Sequence, residues 1–384
     1  MKLFDRELHG FLFFTVVIIM LLGCMVIYSA ASVISEVRTI PLAFKQLIFV
    51  LLAMGIVFLI FFIDVKFFFN ITWLYYFFTI GLLVSVFFIG KSSHGAQRWI
   101  ALGFMDIQPS EFAKIAIIMA VAKYMSLDID NNQKLHYIVL VGLITLVPFI
   151  LILKQPDLGT AMTLIPTLIC MLFMAGIKKR YFLMLFPFAF IPLIILMLAK
   201  NGTISIEQMR HILFFLKPYQ QNRILVFIDP NIDPQGLSYN LIQSQIAIGS
   251  GGLWGKGLLK GTQTHLQFLP ERHTDFIFSV VGEEWGLIGG GILLFLYLSV
   301  LMQGFSIAES CQDFYMKLVA TGIVMLFLSH IAINIGMTIG LMPIAGLPLP
   351  LISYGGSSLM TNMISLGLLL NFYSNKEKII RRSS

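Results

Sequence analysis

The segment QFLPERHTDFIFSVVGEEWG, residues 267–286, places Glu271, Arg272, His273 and Asp275 within five residues and then runs into apolar sequence that carries Glu283 and Glu284. Carboxylates and basic groups at the mouth of a hydrophobic run suit either acid–base chemistry or ion passage. A carboxylate can take a proton from a hydroxyl, and a neighbouring cation can offset developing negative charge. A helix start capped by Thr274 or Asp275 accounts for one of these residues. It leaves Arg272 and His273 without a reason, and also the two glutamates about two turns deeper.

Three other stretches carry polar groups where they are costly. In GKSSHGAQRWIALGFMDIQPSEFAKIA (90–116), Pro109 or Ser110 can start a helix with Glu111 in its first turn. Glu111 and Lys114 are three apart and share a face. They form either a neutralising ion pair near the surface or, through Lys114 with Arg98, a grip on an anionic headgroup. In LKQPDLGTAM (153–162), Lys154 and Asp157 either pair across a turn or Asp157 sits at the next helix's N-terminus. In GLMPIAGLPLPLISYGGSSLMTN (340–362), prolines and glycines interrupt apolar sequence ahead of Ser353 and Tyr354. That segment is either re-entrant or a simple extended loop; irregular backbone at membrane depth must be buried in protein or line a cavity.

The elements that must position these residues are set by composition. Of 384 residues, 58% are hydrophobic and 12% charged, with mean hydropathy +0.89. That excludes an ordinary soluble domain and points to a polytopic membrane protein. The net charge of +7 implies no nucleic-acid partner, because the basic residues lie mostly in loops, where they orient the chain and meet membrane lipids. Cys24, Cys170 and Cys311 are far apart and show no metal or disulfide spacing.

The expected fold class is all-α, a single integral membrane domain over 1–384 with ten transmembrane helices. Apolar segments of roughly 20 residues fall near 11–31, 45–63, 68–90, 110–126, 136–153, 158–176, 181–199, 276–303, 315–340 and 352–373. The first reads as a retained helix rather than a cleaved signal. Placing Lys66, Lys134, Lys178, Lys179, Arg180 and both tails inside satisfies the positive-inside rule, so both termini are expected in the cytoplasm. Between the seventh and eighth helices, 200–275 forms a loop far longer than an ordinary connection. It is expected outside and structured: YNLIQSQIAI (239–248) reads as an amphipathic helix and GSGGLWGKG (249–257) as a glycine-rich turn.

At these motifs the chain resembles a known family. LPERHTDFIFSVVGEEWG, GAQRWIALGFMDIQPSEFAKIA, KQPDLGTAM, QSQIAIGSGGLWGKG and GLPLPLISYGGSS are similar to the signatures of the SEDS glycosyltransferases, and the match runs through nearly the whole chain. The form with Arg272 is similar to the RodA branch, which serves cell elongation and rod shape. The resemblance implies ten helices in the bacterial cytoplasmic (inner) membrane and polymerisation of lipid II into peptidoglycan strands on its outer face. It also implies a class B penicillin-binding protein transpeptidase as partner, within the elongation machinery. The family's essential aspartate falls on Asp275.

That reaction joins a sugar 4-hydroxyl to an anomeric carbon, expels a polyprenyl pyrophosphate and inverts the linkage. One carboxylate base is a sensible minimum, and Asp275 is the catalytic candidate. The pyrophosphate needs positive charge, from Arg, Lys or a divalent cation such as Mg²⁺. Arg98, Arg223 and Arg272 are the candidates to bind it. Glu111 and Lys114 are expected to shape the substrate cavity, with Lys154, Asp157, His273, Glu283, Glu284, Ser353 and Tyr354 completing the substrate-binding set. A lipid II flippase or a non-catalytic scaffold for the transpeptidase are the alternatives.

Overall fold

The computed structural model describes residues 2–31, 35–93, 96–101, 103, 106–127, 134–234, 236–266 and 268–380. The chain opens with α1 (Lys2–Ala31), α2 (Ser35–Phe62) and α3 (Val65–Ile89), followed by β1 (Lys91–Ser93), β2 (Ala96–Ala101) and β3 (Asp106–Ile107). Next come α4 (Pro109–Leu127), α5 (Leu135–Lys154), α6 (Leu158–Met174) and α7 (Lys179–Lys200). The long connection folds as α8 (Ile206–Ile212), α9 (Pro218–Ile228), α10 (Leu237–Gly251) and α11 (Thr262–His265), and the chain closes with α12 (Ile277–Ser310), α13 (Phe314–Thr338) and α14 (Gly356–Ser374).

Helices occupy all ten expected segments. Six are long and apolar enough to cross a membrane by themselves: Gly10–Ala31, Leu42–Phe62, Val65–Ile89, Leu135–Lys154, Ile277–Ser310 and Phe314–Thr338. The helix α4 falls outside that set because Glu111, Lys114 and Lys123 lower its hydropathy, yet nearly all of its residues are buried. Its charges face protein, not lipid. The expectation of an all-helical chain needs one correction: β1, β2 and β3 form a small antiparallel sheet ahead of α4.

Helix starts follow local chemistry. Asp64 caps α3, Asp157 caps α6 and Asp313 caps α13, each carboxylate accepting a backbone N–H of the first turn. Ser205 and Gln208 form a reciprocal capping box on α8. Neither Thr274 nor Asp275 caps α12; its N-cap is Phe276, which makes no side-chain cap bond. That leaves the Asp275 carboxylate free for another use.

At the centre stands α13, 83% buried along its apolar window. Gly322 lets α4 and α6 close on it: a Cβ there would lie 2.6 Å from Ile118 and 2.9 Å from the Met171 sulfur. After α13 the chain runs without helix to Gly355, and most of this stretch is buried. The irregular segment therefore lies inside protein, as backbone at this depth must.

Two glycine-rich motifs meet at a break in α12. Gly286 has φ 65° and interrupts the helix, which would leave backbone groups unpaired. The turn after α10 supplies the partners. Leu287 and Ile288 N–H donate to Gly252 and Leu253 carbonyls at 2.9 and 3.1 Å, and Lys256 and Gly257 N–H donate to Glu283 and Glu284 carbonyls at 3.0 and 2.9 Å. A Cβ on Gly255 would lie 2.1 Å from the Glu284 carbonyl oxygen, so only glycine allows this approach.

Candidate active site

A cavity of about 1080 Å³ opens among β2, α9, α10, the 270–276 segment and the 344–358 segment, large enough for a substrate of more than drug size. Asp275 lies on its wall, together with Arg98, Arg223, His273 and Tyr354. Among the described residues the Asp275 carboxylate takes no hydrogen bond or ion pair. Burial pushes its carboxyl up; Arg223 and Arg98 pull against that, Glu271 and Asp157 add to it, and the upward push wins. A carboxylate without a partner and with raised basicity is equipped to take a proton.

The cations around it are held by their own partners. Arg98, on β2, points a guanidinium nitrogen at Asp157 at 3.8 Å and keeps a buried Nε with no partner among the described residues. Arg223, on α9, donates to the Ala345 carbonyl at 2.6 Å and to the Tyr219 hydroxyl, and its guanidinium lies 4.7 Å from the Tyr219 ring centroid. Both arginines thus present preset charge to the cavity at little further ordering cost. His273 meets the Tyr354 ring edge-on at 6.0 Å. Burial pushes its imidazole down, with Glu271 opposing and Arg272 reinforcing, so at neutral pH it is uncharged.

The remaining expected residues lie off the wall. Asp157 caps α6 behind Arg98 and accepts from Gln108 Nε2 at 2.8 Å and Ser110 Oγ at 2.8 Å. Burial works against its charge, but Arg98 and the hydrogen bonds from Ser110 and Thr160 outweigh it and hold the carboxyl below its ordinary value. Lys154 is exposed and does not pair with it. Glu111 and Lys114 are bonded at 2.8 Å deep inside the bundle, each almost fully buried, with Lys114 Nζ also 2.8 Å from His330 Nε2. The expectation of a pair near the surface is corrected accordingly. Arg272 turns away from the cavity and donates from Nε to the Ala30 carbonyl of α1 at 2.7 Å.

Glu283 holds the loop instead of facing the cavity: it accepts from Lys256 Nζ at 2.7 Å, Gln263 N–H at 2.8 Å and both the N–H and hydroxyl of Thr264. Glu284 accepts from Ser29 of α1. Ser353 donates to the Thr274 carbonyl at 2.7 Å. Sequence reading missed Lys45, Lys91, Asp106, Tyr219 and Asn222 on the cavity wall. Only Tyr219 offered a signal, four residues before Arg223 on one helix face. Among the described residues, no group of three or more His, Cys, Asp or Glu side chains meets as a metal site.

Fold and cavity together define a polytopic helical membrane protein with a large, arginine-lined site that includes Asp275, a carboxylate without a partner among the described residues. The chain belongs to the FtsW/RodA/SpoVE family of cell cycle proteins, whose profile matches residues 10–378. It is 40% identical over 301 residues to the peptidoglycan glycosyltransferase MrdB of Escherichia coli, covering 78% of this chain and 76% of that one. It is 37% identical over 346 residues to the peptidoglycan glycosyltransferase RodA of Treponema pallidum, covering 76% and 80%. Among solved structures it matches a chain of a peptidoglycan synthase complex that coordinates polymerization and crosslinking, with TM-score 0.77, 31% identity and coverage of 95% and 97%. It also matches the rod shape-determining protein RodA of Thermus thermophilus, with TM-score 0.68, 28% identity and coverage of 96% and 97%.

Proposed function

We propose that this chain is a peptidoglycan glycosyltransferase that polymerises lipid II during cell elongation, with Asp275 as general base. The observation that carries the reading is a carboxylate with no partner among the described residues, on the wall of a cavity of about 1080 Å³ and under the influence of Arg223 and Arg98. The 4-hydroxyl of incoming lipid II attacks the anomeric carbon of the growing strand. The new carbon–oxygen bond forms as the bond to polyprenyl pyrophosphate breaks, and an α-linkage becomes β. The hydroxyl proton passes to Asp275, and the pyrophosphate leaves with its charge against Arg98 and Arg223. Pyrophosphate is a good leaving group and needs no strong general acid.

Among the described residues no three His, Cys, Asp or Glu side chains meet as a ready-made cage for a divalent cation such as Mg²⁺, which is usually held by one or two carboxylates together with substrate phosphates, and no step is routed through one. Any cation the reaction uses would enter on the substrate pyrophosphate, and EDTA and Mg²⁺ titrations of the rate measure that requirement.

Ten spans, with both termini in the cytoplasm and the cavity on the outer face, complete the reading; the lysine and arginine distribution supports it. An apolar groove of about 380 Å³ between α12 and α13, lined by Leu294, Leu298, Leu301, Ile331 and Ile335 among others, supports contact with the single span of a class B penicillin-binding protein. Glycan polymerisation by purified protein tests the function. Wild type should form polymer, and Asp275→Asn should lose at least about a hundredfold in rate while keeping its fold. Wild-type rates in Asp275→Asn would refute the base assignment. Movement of lipid II across bilayers without polymer would favour a flippase.

A further inference from the structure

Asn334 is a polar residue in the apolar run LSHIAINIGM of α13, and it is fully buried. Its Nδ2 donates to two carbonyls, Asp275 O at 2.9 Å and Leu347 O at 2.7 Å. An amide nitrogen has two hydrogens, and both are used. The flipped orientation would set Oδ1 against two carbonyl oxygens, so the partners fix which end faces them. The acceptor end, Oδ1, has no partner among the described residues. A leucine would fill the same space and remove that unpaired acceptor, but it would leave the Asp275 and Leu347 carbonyls without their donor. An asparagine that keeps this unfavourable group is retained for its donors.

The neighbouring carbonyls extend the pattern. His273 O accepts from Tyr354 N–H at 2.9 Å, and Thr274 O accepts from Ser353 Oγ at 2.7 Å. Three consecutive carbonyls, 273 to 275, are therefore each fixed by a donor from α13 or from the 353–354 turn. Ser353 also accepts from Leu349 N–H at 2.8 Å, which ties the same turn to the irregular segment. Among the described residues Asp275 has no side-chain cap bond or ion pair to hold it, and its backbone lies just before α12 begins. Its aim depends on the main chain.

We infer that Asn334 is a positioning residue for Asp275, clamping the base-bearing backbone to the buried segment at Leu347, with Ser353 as the second point of the clamp. This rests on the reading of Asp275 as the base. Misplacing a reacting group by about 1 Å costs on the order of a hundredfold in rate. The loss should therefore fall on kcat, while the arginines that bind pyrophosphate are untouched.

The test is polymerisation by purified full-length Asn334→Leu across lipid II concentrations, with melting temperature and hydrogen exchange over 268–280. We expect kcat to fall about 10–100-fold, KM to stay within about twofold, melting to fall by a few degrees as two carbonyls lose their donor, and exchange over 268–280 to rise. A residue kept only for packing would tolerate leucine with unchanged kcat, and that result would overturn the inference. So would a loss confined to KM. If Asn334→Leu does not fold, Ser353→Ala decides: a fall in kcat of several-fold at constant KM is expected, and unchanged kcat overturns the clamp. Asp275→Asn is run beside both. If it polymerises as wild type, the base assignment fails. If it is inactive while Asn334→Leu and Ser353→Ala match wild type, only the clamp fails.

Discussion

Replacing Lys114 by methionine strands the Glu111 carboxylate in the middle of the bundle. The two charges are 2.8 Å apart and almost fully buried. At an effective dielectric of about 20 they attract by about 6 kcal/mol, and removing both from water cancels most of that gain. The pair's net worth is therefore small, but breaking it is expensive, because one uncompensated buried charge costs about 3–5 kcal/mol. Glu111 keeps one further partner, the Thr361 hydroxyl at 3.1 Å, so the lower end of that range applies. Removing both charges in Glu111→Gln/Lys114→Met should restore most of the loss, giving a coupling of about 2 kcal/mol in a double-mutant cycle. Thermal or denaturant unfolding of the purified proteins measures it. Because neither side chain lines the cavity, KM for lipid II should stay constant in the variants that fold. The charge-reversed double should recover only part of the stability. Lys114 offers only donors, so His330 Nε2 accepts from it, and a carboxylate in that place would require the opposite tautomer. A coupling under about 0.5 kcal/mol, or a KM that rises with the loss of either charge, would refute the assignment of this pair to structure.

Arg223→Met removes the first of the charges that oppose the upward push of burial on Asp275. Its KM for lipid II should rise about tenfold. The acid limb of its rate profile should move to higher pH, since the base must be deprotonated to work; a limb that stays in place counts against the link. Asp157→Asn should lower stability at neutral pH. Its carboxyl is held below the ordinary value of 3.8, so its contribution is present above that value and is lost as pH falls through the lower folded value. The wild-type advantage in unfolding free energy should therefore close only below pH 3.8. An advantage that fades between about pH 5 and 7 would refute Arg98 and the Ser110 and Thr160 hydrogen bonds as its source.

The helices were legible because their signal is local. A run of apolar residues of span length specifies one helix wherever it packs, and all ten expected segments are helical. Cost in hydrocarbon also found the polar residues that matter, because a buried charge must have a reason. It could not say which reason. Glu283 and Asp275 stand eight residues apart in one motif, yet one anchors a loop through Lys256 and Thr264 while the other faces the cavity. That division is set by α10 and its following turn, which approach α12 from well outside the motif. Asn334 carried the same signal as the charged residues but has no charge to draw attention to it.

What sets Asp275 apart from Glu111, Asp157, Glu283 and Arg272 is that, among the described residues, its side chain has no partner. Glu111, Asp157, Glu283 and Arg272 each have partners that use their charge. A group so engaged would have to break those bonds before it could serve a substrate, and each such break costs about as much as the binding it would gain. Asp275 stands apart: its backbone carbonyl is fixed by Asn334, while its carboxylate is left to the cavity. Rigid support of the main chain and freedom of the side chain are the two conditions a general base must meet together, since accuracy of aim and an open proton-accepting site both enter the rate. On the proposed reading, the acid–base role in the 267–286 segment falls to Asp275, whose main chain is held by Asn334 and by the neighbouring bonds from Ser353 and Tyr354.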